Sequence, residues 1–506
     1  MVADDNLKEL IDRNILQPID SSRSAKVKTF KAHGVMHEFM RHMAIPAKFI
    51  TSLGNQERSN HRHLFVENHS SGKALEKKHC HTSQASKKFR ARSITICGSA
   101  GAAVADFNKC ELLRVLELEE CNDLEDDHMK GIHKLWHLKY LSLGANIRRL
   151  PNKFEKLYSL ETLDLRKTKI ETLPLEVVKL PHLTHLLGKF KFGKKDLKMN
   201  EVHKFLPKES NLQTLAGFVA DGNTGFPLLM VRMKKLRRVK IWYDSTSEDS
   251  KSLADLATAI KKFIQDELDT SVGVRSLSLD MGNFSPNILL SLDNPYIYLS
   301  SLKLHGALSG LTGFASDLAN LHKLKHLEFL KLVKVSLGDF VIRRWDVPRL
   351  VQLCIVQSRT LPTIEEGAMP TLVSLQLLSE DLVGLSGIEI KWHKHLQEVA
   401  LDSMVSSETI KIWENAAKRH PKRPRVLFLR RIGHDMLQYV ATERPSAGTD
   451  CPIMRGKRVI HEFEPNSVID LDSALKRMKF SGPSITSPEL PSARNDVMPS
   501  SSKAVF

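Results

Sequence analysis

The chain repeats one hydrophobic pattern. From about residue 113 it reads LxxLxL, first as Leu113, Leu116 and Leu118 followed by Cys121, then as Leu138, Leu141 and Leu143 followed by Asn146. A third unit runs Leu160, Leu163, Leu165 and Thr168, and Leu183 with Leu186 opens a fourth. Equivalent leucines (116, 141, 163 and 186) are 25, 22 and 23 residues apart, inside the 20–29 residue window of leucine-rich repeats. Later units are looser. They fall at Leu212/Leu215, Leu236/Val239/Ile241, Val274/Leu277/Leu279, Leu299/Leu302/Leu304, Leu327/Leu330/Leu332, Leu350/Leu353/Ile355, Leu372/Leu375/Leu377 and Leu396/Val399/Leu401. In LxL both apolar side chains point to one face of a short strand, because side chains alternate with period two. One such unit cannot bury its leucines alone, so neighbours must stack. The pattern predicts a parallel-stranded solenoid, a horseshoe with one strand per repeat lining its concave face. Asn146 and Cys121 stand where a polar side chain can meet the backbone as it leaves the strand.

Two stretches break the period. Residues 251–268 place Leu253, Leu256, Ile260, Phe263 and Ile264 at helical spacing and predict a helix on the convex side of a longer repeat, with packing favoured over an interaction helix. Residues 406–420 predict a helix through Ile410, Ile412, Trp413 and Ala416, capped by Ser406 or Ser407, and a basic turn and last strand (KRPRVLFLR) follow to close the solenoid. Beyond about 440 the composition shifts to Pro and Ser, and residues 481–502 lack the apolar surface to order.

The x positions of each LxxLxL point away from the repeat core. Early ones include Glu117, Glu119 and Glu120, middle ones Arg237, Arg238, Lys240, Trp242 and Tyr243, and later ones Phe329, Val333, Val351 and Val356. A basic patch flanked by aromatics suits contact with an acidic or mixed protein surface. The same residues also suit solvated strand positions without a partner, and both readings stand at this level.

Composition narrows the classes. The 506 residues are 42% hydrophobic, enough to bury a core, but only 6% aromatic, which matches packing by aliphatic side chains. Lys+Arg 75 against Asp+Glu 58 gives a net charge of +17, which steers polyanions without choosing among them. No nucleic-acid-reading module accompanies the basic residues, so nucleic acid is not the expected partner. Cys80, Cys97, Cys110, Cys121, Cys354 and Cys451 form no CxxC pair, and neither a secretory leader nor an 18-residue apolar run is present. These features predict a cytoplasmic chain with reduced thiols and no transmembrane segment; nucleus or membrane periphery remain open.

Near the N-terminus, residues 5–18 (DNLKELIDRNILQP) form an amphipathic helix pattern through Leu7, Leu10, Ile11 and Ile15. A second pattern follows through Val35, Phe39 and Met43. These segments, with Ala32-His33-Gly34, VMHEFM at 35–40, ITSL, RHLFV at 62–66 and ARSITICG at 91–98, resemble plant intracellular nucleotide-binding leucine-rich-repeat immune receptors. The likeness is to the C-terminal part of the coiled-coil class of grasses and covers roughly residues 1–430. It implies a partial winged-helix subdomain at 1–50 and a linker with the first repeat strand at 51–90. It implies a leucine-rich repeat domain at 91–425 and a largely disordered tail at 426–506. The fold class expected is α/β, a leucine-rich-repeat solenoid with a small helical winged-helix remnant.

In that family the His of the motif at 32–34 contacts a nucleotide phosphate. Here Ala32 and Gly34 depart from the pattern around His33, and the nucleotide-binding module does not precede it, so a truncated product is expected. No ATP or ADP binding and no cofactor are expected. The implied function is non-catalytic protein recognition in plant defence. Its partner would be a pathogen effector, a host protein, or the nucleotide-binding module of a related receptor in trans. The rival reading is a general repeat scaffold or polyanion-binding protein with no immune role.

Three other motifs fall short of chemistry. Gly188 to Lys195 nearly spells a phosphate loop, but Lys195 replaces the Mg-binding hydroxyl, so a basic loop between repeats is expected. His61, His63, His69, His79, Cys80 and His81 lie in a Ser/Lys/His-rich linker without metal-ligand spacing, and no metal is expected. No GxSxG, HExxH or dinucleotide fingerprint appears, and no catalytic residue can be named.

Overall fold

The structure is a computed structural model. It describes residues 9–13, 15–18, 30–32, 34–44, 50–51, 62–68 and 90–442, the last without 99–109, 122, 194–198, 205–209, 221–224, 244–249, 266–274, 281–298, 307–323, 336–339, 359 and 433–437.

One ladder of strands organises residues 50–442. It starts with β3 (Ile50–Thr51), β4 (His63–Asn68), β5 (Ser93–Gly98), β6 (Val115–Glu117), β7 (Tyr140–Ser142) and β8 (Thr162–Asp164). It continues through β10 (His185–Phe192), β11 (Thr214–Ala220), β12 (Arg238–Tyr243), β13 (Arg275–Asp280), β14 (Leu299–His305) and β15 (Phe329–Val333). It ends with β17 (Gln352–Val356), β19 (Ser374–Leu378), β20 (Glu398–Asp402), β21 (Arg425–Ile432) and β22 (Gln438–Thr442). Neighbours pair in parallel except β21 with β22, which is antiparallel. Short strands lie beside the ladder: β9 (Thr172–Leu173) pairs with the far half of β10, and β16 (Val341–Ile342) pairs with β18 (Thr363–Ile364). Near the N-terminus β1 (Leu16–Pro18) and β2 (Phe30–Ala32) form an antiparallel pair.

The register explains the repeat. Ile94, Leu116, Leu141, Leu163, Leu186, Leu215, Val239, Leu277, Leu302, Leu330, Leu353, Leu375, Val399 and Val426 are successive partners across the ladder. All but Val426 are fully buried in one continuous core, and Val426 packs against it. A single apolar row crossing every strand removes each leucine from water only because the next repeat covers it. The predicted solenoid is therefore what forms.

Local details follow from side-chain chemistry. At the turn after β8, Thr168 donates its hydroxyl to the Leu165 carbonyl at 2.8 Å and accepts from the Ile170 amide at 3.3 Å. Two repeats earlier, after β6, Cys121 donates its thiol to Asp123 at 3.1 Å, and burial pushes that thiol up to about 12. The predicted helix at 251–268 is observed as Ser250–Gln265, and it buries Leu256, Ala259, Ile260, Phe263 and Ile264 beside the helix Gly225–Arg232. The C-terminal helix spans Ser407–Arg419 with Ser406 as its cap. Its Trp413 is fully buried and donates its indole N–H to the Gly384 carbonyl at 2.8 Å, while Ile412 is partly exposed. The ladder runs on past residue 425, where the sequence placed the start of the tail, through β21 and β22.

The stretch from Gly188 to Phe192 is part of β10 rather than a loop between repeats. Its Phe190 and Phe192 are buried and pack with Phe218 on β11 at ring separations of 6.5 and 5.5 Å. Residues 194–195 of that motif lie outside the described residues, as do His33, His61, His69, His79, Cys80 and His81.

Candidate protein-recognition face

Each ladder strand offers two faces, and the apolar row occupies one. The other carries a second continuous row, one residue from each strand. It reads Thr95, Glu117, Ser142, Asp164, Leu187, Ala216, Lys240, Ser278, Lys303, Lys331, Cys354, Gln376, Ala400 and Leu427. Its character changes along the solenoid from acidic, through short apolar residues, to basic and then apolar.

The acidic end is an occupied network. Glu117 accepts from Thr95 at 3.2 Å. Asp164, 2% exposed, is gripped by Arg166, whose Nη2 and Nε reach its carboxylate oxygens at 2.6 and 3.0 Å. Burial, and then the charge of Asp164, push the Glu119 carboxyl above its ordinary range, with Arg166 pulling back. The same acidic surroundings, after burial, raise the Tyr140 phenol.

The middle is basic and aromatic. Lys189 is exposed beside β11 and β12, and its ammonium lies 4.8 Å from the Trp242 ring. Lys240 lies 4.0 Å from the same ring, and Lys303 lies 5.4 Å from the ring of Phe329. Burial lowers the Lys240 ammonium, Asp280 opposes that, and Lys189 and Lys331 lower it further. Asp280 in turn meets His305 Nδ1 at 2.6 Å.

At the far end, Val333, Cys354, Val356, Leu378, Ala400 and Leu429 form a buried apolar cluster separate from the repeat core. Burial raises the Cys354 thiol, against the pull of Lys331 and Lys303. Val333 and Val356, expected as open outward positions, are therefore enclosed, with Val356 0% exposed.

The sequence-derived candidates separate by this geometry. Glu117, Glu119, Arg238, Lys240, Trp242 and Phe329 share the face opposite the repeat core, by their alternation with Leu116, Leu118, Val239, Ile241 and Leu330. Tyr243 does not join them, because it sits two residues beyond Ile241 and packs against the repeat core. Arg237 precedes β12 on the side of Val239, and Val351 precedes β17 on the side of Leu353. Ala32 ends β2 and Gly34 begins the helix Gly34–Ala44. Lys189, Lys303, Lys331 and the Asp280–His305 pair were missed. The signal for Lys303 and Lys331 was the residue between the two inward positions: LKL at 302–304 and LKL at 330–332 carry Lys where VKI at 239–241 carries Lys240.

Residues 90–426 match the family model described as "Leucine-rich repeat region". The chain belongs to this leucine-rich repeat family. It is 45% identical over 449 residues to "Disease resistance protein RGA4" of Oryza sativa subsp. japonica, covering 84% of this chain and 44% of that protein. It is 25% identical over 501 residues to "Disease resistance protein Pik-2" of the same organism, covering 84% of this chain and 48% of that protein. These relatives match the resemblance to plant disease resistance proteins read from the sequence. The chain spans less than half the length of these two relatives. Among the described residues no helix is long and apolar enough to cross a membrane, and no group of three or more His, Cys, Asp or Glu could hold a metal ion.

Proposed function

We propose that this chain is a non-catalytic protein-recognition domain of a plant intracellular immune receptor, working in the cytoplasm through the face opposite its repeat core. The observation that supports this most is the 45% identity to a rice disease resistance protein, sustained over 449 residues and so across nearly the whole repeat ladder. The face has the composition of a contact surface: half-buried aromatics among charges, on a backbone whose every strand is pinned by its neighbours. The partner is a protein: a pathogen effector, a host protein, or the remainder of a related receptor. Arg238, Lys240, Trp242 and Phe329 are the contact residues proposed, with Glu117 and Glu119 at the acidic end.

The test is an exchange. This chain replaces the matching part of the RGA4 protein, and the chimera is expressed in rice protoplasts beside the parent and a version with the matching part deleted. A recognition domain gives a chimera whose cell-death response differs from that of the deletion. A chimera indistinguishable from the deletion contradicts the immune reading.

A further inference from the structure

Six cations share the outward positions of β10 to β15: Lys189, Lys191, Arg238, Lys240, Lys303 and Lys331. Against them the described residues of those positions hold one carboxylate, Asp280, and His305 lies against it at 2.6 Å. Lys303 and Lys331 are direct register partners on adjacent strands, where like charges repel. Lys240 feels both Lys189 and Lys331. A folded surface that keeps repelling cations side by side gains when an anion enters between them.

We infer that the row Lys240–Ser278–Lys303–Lys331 binds an extended acidic peptide segment of the partner, laid across the strands. This rests on the protein-recognition reading above and gives that partner its chemistry. Adjacent strands are about 4.8 Å apart, so the row spans about 14 Å, the reach of four to five extended residues. Side chains on one face of such a segment recur every ~6.7 Å. Carboxylates at alternate positions therefore fall among ammonium groups that stand one and two strands apart. The rings of Trp242 and Phe329 lie against Lys240 and Lys303, hold those ammonium groups on the face and offer apolar surface between the charges.

The ends of the row limit the segment. Toward β8 an acidic chain meets Asp164, already bound by Arg166, and Glu117 beyond it. Toward β17 it meets buried Cys354 and Val356. Asp280 within the patch opposes dense polyphosphate more than spaced carboxylates, so a peptide is favoured over nucleic acid.

The test uses the full chain and a fluorescein-labelled Glu-Ser alternating peptide of roughly a dozen residues. Fluorescence anisotropy at low salt is compared for this peptide, its Gln-Ser counterpart, and a single-stranded DNA oligomer of equal net charge. Binding of the Glu peptide at least about tenfold tighter than the Gln peptide is expected, with a similar loss in the Lys303→Glu/Lys331→Glu variant. Lys331→Gln and Lys303→Gln, which leave the strand surface intact, give smaller losses in the same direction. Equal binding of both peptides, unchanged binding by the Gln variants, no binding at all, or tighter binding of the DNA each overturns the inference. None of these outcomes bears on the cell-death exchange, which is scored in protoplasts with no added peptide.

Discussion

Lys303 and Lys331 stand directly opposite each other on β14 and β15, two ammonium side chains on one row of one face. They are 28 residues apart in sequence and one strand apart in space. The backbone ladder, fixed by Leu302 against Leu330 and Leu304 against Leu332, forces them together.

Relieving that repulsion stabilises the fold. Lys331→Gln is expected to raise stability by about 0.2–1 kcal/mol in low salt. The gain shrinks as salt screens the pair. Urea denaturation at two ionic strengths reads it, and a variant less stable than the parent at low salt contradicts the proposed repulsion.

His393 sets a pH dependence. It occupies the position that Leu135, Leu157 and Leu180 hold in earlier repeats, it is 0% exposed, and burial pushes its imidazole down to about 4. The folded state therefore favours the neutral ring. The stability this gives is fully present above the ordinary value near 6.5 and is lost as pH falls toward 4, by up to roughly 3 kcal/mol. His393→Leu should flatten that part of the profile and keep the fold at neutral pH. Thermal melts from pH 7 to pH 4 compare the two, and parallel profiles contradict the assignment.

Gly217 and Gly387 both have positive φ, +121° and +79°, but differ in surroundings. A Cβ on Gly217 would lie 1.3 Å from the Gly188 carbonyl oxygen of the neighbouring strand, whereas one on Gly387 meets nothing within 4 Å. Gly217→Ala should cost about 3 kcal/mol or more, from strain and forced separation of β10 and β11. Gly387→Ala should cost only the strain, about 1 kcal/mol. Denaturant midpoints of the two variants decide, and equal losses contradict the close approach.

The apolar half of the fold was legible because its signal is local. Leu141 and Leu143 declare a strand face by alternation alone, and their recurrence at Leu163 and Leu165 declares the stack. The recognition face was legible only in part. Grouping Arg237 to Tyr243 by sequence proximity joined residues on opposite sides of β12, and alternation about Val239 and Ile241 separates them. Lys303 and Lys331 look unremarkable in sequence, since their adjacency exists only through register. Val333 and Val356 read as open outward positions, because no local pattern marks an outward row that is itself buried. The basic loop expected from Gly188 onward differed in the opposite way: its phenylalanines are core residues of a longer strand, packed on Phe218.

The register brings the lysine row to one face, and paired cysteines test that register most directly. Ser278 and Lys303 are register partners on β13 and β14, at a strand separation of about 4.8 Å that a disulfide can bridge. Under mild oxidation, Ser278→Cys with Lys303→Cys is expected to close a bond identified by peptide mass spectrometry, and Ser278→Cys with Leu304→Cys is expected to stay open. Closure of the second pair and not the first would mean a ladder slipped by one residue, with Lys303 turned into the core and no basic row to bind a partner.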